Sequence, residues 1–134
     1  MTTIQNHREI LRELLDDIDE KIRNDLLVER QKILGFALSE ATCHMLAILL
    51  LSKKLISSGF MINHRYFSSE KRAFERLGFD FEKKNEILAK MVKQEELRDK
   101  LCYGNNKERD LIEKAIRNMY ALKEIIEGES SEPL

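Results

Sequence analysis

The run Ala41-Thr42-Cys43-His44-Met45-Leu46-Ala47-Ile48-Leu49-Leu50-Leu51-Ser52 decides how this chain must fold. It carries no formal charge, whereas Glu29, Arg30, Lys32 and Glu40 precede it and Lys53 and Lys54 follow it. No proline interrupts residues 28–57, and the only glycine in that stretch is Gly35. Leu, Ala and Met are strong helix formers, so one long helix is expected here, reaching to about Ser57. A core helix of the usual kind shows one apolar stripe with polar residues opposite. Met45 to Leu51 instead cover every side of two turns, so the helix must be enclosed all round. An uncharged run of about 12 residues is too short for a bilayer, which needs about 20. Two arrangements remain: the centre of a bundle, or burial by a bundle on one side and a second subunit on the other. In a chain of 134 residues the second is the expectation, and it makes the protein a homodimer.

The bulk numbers agree with one helical domain. The length fits a single domain able to bury roughly two thirds of its unfolded surface. Charged residues make up 35% of the chain, nearly balanced at net −1 with pI about 6.3. Such a balance suits helix surfaces laced with ion pairs, and it argues against a protein held on nucleic acid by overall charge. A local basic groove stays open. One proline and five glycines are too few for the turns of an all-β chain. No glycine-rich phosphate loop is present, so neither a nucleotide cofactor of that kind nor a metal is expected. Cys43 and Cys102 form no CxxC and read as two buried thiols. The N-terminus reaches His7-Arg8-Glu9 without an apolar segment, so a cytoplasmic, reducing setting without a membrane is expected.

Along the chain, Thr3 or Asn6 can cap a first helix, with Glu9 as the capping-box partner of Asn6. Ile10, Leu11, Leu14, Leu15, Ile18 and Ile22 give it an apolar stripe to about Arg23. Asn24-Asp25 reads as a break, with Asp25 capping the long helix and Gly59 stopping it. Residues 60–67 are too apolar to float in solvent and should lie over the bundle as a loop. Arg65 between His64 and Tyr66 could also stack on bases, although packing explains the aromatics without a ligand. Ser68 or Ser69 caps a short helix that buries Ala73, Phe74 and Leu77. Asp80 caps a fourth helix running from Phe81 to about Tyr103. Gly104 stops it, and Asn105 with Glu108 opens the last helix. The domain spans residues 1–127, and residues 128–134 form a tail with nothing to bury and no expected order. The fold class is all-α: an antiparallel four-helix-type bundle with one extra short helix, homodimeric through the long helix and the Arg98 end of the fourth.

The anomaly lies in the fourth helix. Ile87, Met91, Gln94, Arg98 and Leu101 fall on one line at helical spacing, so two polar groups share an apolar side. A guanidinium can snorkel outward from such a place. It can instead face a cleft or a dimer seam, where its fork suits a phosphate. Asp99 is adjacent, and Tyr103 follows about one turn later.

At this point the chain resembles a family. A long apolar helix and an aromatic loop precede Ala73-Phe74-Glu75-Arg76-Leu77, then Leu88-Ala89-Lys90-Met91-Val92 and Leu97-Arg98-Asp99-Lys100-Leu101-Cys102. That order resembles a HEPN domain of the HepT-like branch, over roughly residues 28–126. The resemblance implies a dimerising five-helix bundle, in many members a metal-independent RNase, paired with a minimal nucleotidyltransferase as a toxin–antitoxin system. The family motif is an Arg followed by Asn, Asp or His, then a His four to six residues after the Arg. Arg98 and Asp99 match its first half; aligned without a gap, Tyr103 stands where the histidine should be, and with a two-residue deletion it matches instead the tyrosine that often follows that histidine. The chain's histidines, His7, His44 and His64, all lie far upstream. Cleavage of RNA through its 2′-hydroxyl needs groups that exchange protons near neutrality, and a phenol, which ionises near pH 10 or so, is a poor acceptor. The resemblance therefore implies Arg98, Asp99 and Tyr103 as a catalytic set whose RNase activity is weak or lost. Arg98, Gln94 and Lys100 are then the expected RNA or nucleotide contacts. It also allows Tyr103 to accept nucleotidyl groups.

Two other readings compete. A helical dimer could bind a protein partner, such as a nucleotidyltransferase, and no nucleic acid. Glu40 and His44, at i,i+4, could hold a metal; a buried histidine bonded to Glu40 is the plainer reading of that pair. No Ser-His-Asp or Cys-His arrangement can be assembled from local spacing.

Overall fold

The computed structural model describes residues 2–134. Among them there are five α-helices, one 3₁₀ turn and no strand: α1 (Ile4–Arg23), α2 (Gln31–Ser52), the 3₁₀ turn His64–Phe67, α3 (Glu70–Arg76), α4 (Lys84–Cys102) and α5 (Arg109–Glu129). The apolar run of α2 is the axis of the molecule. Helices α1, α4 and α5 all pack against it, while α3 and the 3₁₀ turn pack on α4. The all-helical bundle expected from the sequence is therefore present.

The apolar run of α2 needs no second subunit to cover it. Every residue from Met45 to Leu50 is buried by the chain itself, with Leu49 and Leu50 at 0% exposure. Three helices around a fourth cover all its sides, so no partner is needed to hide the oily run. Length and composition alone would let α2 cross a membrane, and 78% of its apolar window is buried within the protein. At roughly 1.5–3 kcal/mol for each fully buried large aliphatic side chain, this enclosure is the main stabilising term.

Helix α1 begins as expected. Thr3 caps it, and Asn6 completes a reciprocal capping box in which Thr3 Oγ1 accepts from Asn6 N at 3.2 Å; Glu9 has no part in it. The break at Asn24-Asp25 is also present. Asp25, however, does not cap α2. It adopts a left-handed φ of 53°, and Leu26 N donates to Lys21 O at 3.0 Å, closing α1. Turns follow, and α2 starts only at Gln31. The stop of α2 likewise precedes Gly59. Lys54 takes φ 59°, and Leu55 N donates to Leu50 O at 2.9 Å. A left-handed lysine costs about 1 kcal/mol, offset here because the closure turns Leu55 back onto the core.

Other boundaries shift for similar reasons. Asp80 Oδ1 accepts from Phe81 N, but Lys83 in a left-handed conformation forms the N-cap of α4 three residues later than expected. Helix α4 ends at Cys102 with Tyr103 extended, and Gly104 follows at a left-handed φ of 78°. Helix α5 starts after Glu108 and not after Asn105. The intervening loop is pinned from across the bundle, where Gln31 accepts from Lys107 N at 2.7 Å and donates to Lys107 O at 3.1 Å. Ala73 and Leu77 are buried as expected, whereas Phe74 is exposed beneath the ammonium of Lys84. The tail does bury something: Leu134 packs at the core margin, and Arg8 donates to Pro133 O at 2.9 Å.

Candidate functional site

The C-terminal half of α4 presents Glu95, Arg98 and Asp99 at i, i+3 and i+4, one face of the helix. Tyr103, just past its end, extends that face and is 66% exposed. The 3₁₀ turn lies against α4 and adds His64 and Arg65. These six side chains line one cleft of about 290 Å³. A wider hollow of about 480 Å³ lies between Lys53 and residues 80–83, but it gathers no histidine and no guanidinium.

His64 owes its place to the turn that carries it. Asn63 Oδ1 accepts from Arg65 N at 2.8 Å, opening the turn, and Phe67, 1% exposed, anchors its end in the core. The imidazole then meets α4, where Nδ1 lies 2.9 and 2.8 Å from the two carboxylate oxygens of Glu95. A carboxylate only accepts, so Nδ1 carries a proton and donates; whenever the ring is neutral, Nε2 is the nitrogen with the lone pair. Among the described residues Nε2 has no hydrogen-bond partner.

Arg98 neither snorkels nor stands free in the cleft. Its Nη1 donates to Ser39 Oγ and to Glu40 Oε2, both at 3.1 Å, and its guanidinium lies 5.0 Å from the ring centre of Phe36. The side chain is only 11% exposed, so α2 holds the arginine firmly at the cleft wall. This settles Glu40 as the partner of Arg98 and not of His44. His44 instead meets His7, with the two Nδ1 atoms 2.8 Å apart. Burial, with His44 as a lesser cause, holds His7 down at about 4, and burial lowers His44 as well. Among the described residues no group of three metal-ligating side chains comes together.

Gln94 is absent from the cleft. It is 2% exposed between α4 and α5, where it donates to Ala115 O at 3.2 Å and accepts from Asn118 Nδ2 at 2.6 Å. Its expected contact with nucleic acid is thus corrected to a polar stitch between two helices, because the inward side of α4 ends on α5. Lys100 is exposed and does not line the cleft. Arg98, Asp99 and Tyr103 do come together there, joined by three groups outside the expected set: His64, Arg65 and Glu95.

Protein-family models, curated proteins and solved structures were compared with this chain, and none matches it.

The cysteines stay apart and free. Cys43 is buried, which raises its thiol well above the usual range. Cys102 is half-buried, not buried as expected, and also raised by burial. Neither behaves as an activated thiol. The chemistry of the cleft is therefore that of an imidazole oriented by a carboxylate, a held guanidinium, a rim cation and an exposed phenol. Its two guanidinium groups face two carboxylates, so the cleft itself is not strongly basic. Arg65, Lys71, Arg72 and Arg76 stand exposed on the 3₁₀ turn and on α3 packed against it.

Proposed function

We propose that this chain is a HepT-like HEPN protein that binds single-stranded RNA or a nucleotide at the Arg98 cleft, as the toxin-side partner of a minimal nucleotidyltransferase in a cytoplasmic pair. One observation carries the reading: Arg98, Asp99 and Tyr103, joined by the family resemblance, line a single cleft flanked by the exposed cations of the 3₁₀ turn and α3. A guanidinium at the wall can take a phosphate oxygen, and the rim cations can follow a backbone. Tyr103, largely exposed at the rim, is accessible as an acceptor of nucleotidyl groups.

The same reading includes a homodimer. Ile33 and Phe36 are 54% and 47% exposed, one turn apart on α2, and Phe36 lies against Arg98. A seam there would bring two clefts side by side, adding a second set of cations to each. It would rest on this patch, since the central run of α2 is already covered.

The test is binding of a short fluorescent RNA of mixed sequence at low salt. Arg98→Ala and Arg65→Ala should each weaken binding and make its salt dependence shallower. Because Arg98 also bridges α2 and α4, the rim variant Arg65→Ala decides the matter if Arg98→Ala loses helicity. Wild-type protein that binds no RNA at tens of micromolar or so, yet captures a nucleotidyltransferase with an affinity indifferent to Arg98→Ala, would establish the alternative of a pure interaction module.

A further inference from the structure

The cleft contains the histidine that the sequence order withholds. We infer that His64, oriented by Glu95, is the proton acceptor of an RNA-cleaving site in which Arg98 holds the phosphate. This rests on the reading of the cleft as an RNA site, and it departs from the expectation that cleavage is lost.

Three observations meet here. His64 and Arg98 come from segments 34 positions apart, yet both line the same opening. The carboxylate of Glu95 is bonded through both oxygens to Nδ1, which fixes the ring and its tautomer. The other nitrogen, Nε2, has no partner within the protein among the described residues and is the acceptor of the neutral ring. A tether holding the turn to α4 would require the Nδ1 bond alone. It would not require the ring to line an opening that a held guanidinium also lines. An oriented base next to an anion-binding group is the pairing that in-line attack by a neighbouring hydroxyl demands.

The step balances within the RNA. The 2′-hydroxyl gives its proton to His64 Nε2, and its oxygen attacks the adjacent phosphorus. The bond from phosphorus to the 5′-oxygen breaks, and that oxygen takes a proton from water. The products are a 2′,3′-cyclic phosphate and a free 5′-hydroxyl, and His64 returns its proton to solvent. Arg98 stabilises charge on the non-bridging oxygens throughout. Glu95 is a positioning residue, acting only through the imidazole.

The experiment uses the full chain and a DNA oligonucleotide containing one ribonucleotide, labelled at its 5′ end. Wild-type protein should cut once, after the ribonucleotide, leaving a cyclic phosphate, and should not cut the all-deoxy strand. His64→Ala should lower the rate at least about 100-fold with RNA affinity unchanged, and added imidazole should restore part of it. Glu95→Gln should lower the rate while leaving affinity and the cut position alone. Circular dichroism and RNA affinity show whether each variant is folded. Wild-type protein that binds RNA but leaves it intact overturns this inference and not the binding reading. So does a folded His64→Ala that cuts at the wild-type rate, which would make the histidine a tether. Protein that binds no RNA at all removes both.

Discussion

His7 and His44 touch nitrogen to nitrogen across the α1–α2 seam, an arrangement with room for one proton between the rings. Adding another forces a charge into a place that burial disfavours, which is why both histidines are held below their ordinary value of about 6.5, His7 at about 4. The sign for stability follows. Below about 6.5 the unfolded chain takes up protons that the folded chain refuses, so acid favours unfolding. The contribution is complete above that pH and is lost as the pH falls toward about 4. Allowing for solvent screening of partly exposed rings, it amounts to about 1–2 kcal/mol. Urea melts at about pH 7 and pH 5 should show the midpoint falling with acid, and His7→Asn should reduce that fall. An unchanged midpoint in wild-type protein would mean the rings are wet. None of this pairing was legible in the sequence. Glu40 and His44 stand at a helical spacing that suggests one another, but each turns to a different helix, Glu40 to Arg98 and His44 to His7. Spacing along a helix shows which residues share a face and not what stands opposite. For the same reason the sequence shows His64 only as a histidine far upstream of Arg98, since it is the 3₁₀ turn that brings it to Glu95.

Between elements, the contact that sets the site is the crossing of α2 and α4 at Gly35. A Cβ built there would lie 2.9 Å from Leu101 Cβ and 3.2 Å from Cys102 Sγ. The first is tied to the α4 backbone and cannot swing aside. Gly35→Ala should therefore push the helices apart, costing about 1–3 kcal/mol from overpacking, against a gain of about 1 kcal/mol in helix propensity. A net loss read from chemical denaturation, with weaker RNA binding because Arg98 and Tyr103 shift together, is the expected result; a stabilised variant would show that the crossing is loose. The ion pair between Arg98 and Glu40 spans the same two helices. Glu40 competes with any phosphate for the guanidinium, so Glu40→Gln should tighten RNA binding several-fold in fluorescence anisotropy. Weaker binding would instead mean that Glu40 orients Arg98 for its ligand. The elements themselves were largely readable, because an apolar stripe at 3–4 spacing has one helical solution. Their ends were not. Asp25, Lys54 and Lys83 take left-handed conformations that a sequence reader reserves for glycine, and tertiary packing decides that they do so.

For the molecule as a whole, the question is which surface is left over once α2 is enclosed. The apolar run suggests a second subunit only when α2 is weighed in isolation. A chain of this length is no limit on coverage, because three partner helices of about 20 residues suffice to surround a fourth. Truncation at the centre should then act on folding alone: Leu49→Ala should cost about 2–5 kcal/mol without changing the oligomeric state. Among the apolar groups that remain exposed are Ile33 and Phe36 on α2, and Phe36 lies against Arg98 of the cleft wall. If two copies meet there, wild-type protein should sediment as a dimer at micromolar concentration. Phe36→Asp should place a carboxylate in the seam and yield a monomer of unchanged helicity. Because Phe36 also lies against Arg98, this variant alone could alter the cleft, so Ile33→Asp serves as the second probe. A shift to monomer in both variants assigns the seam to this face. A wild-type protein that remains monomeric leaves each cleft to work alone, and Arg65 with the cations of α3 would then be the whole of its backbone-tracking charge.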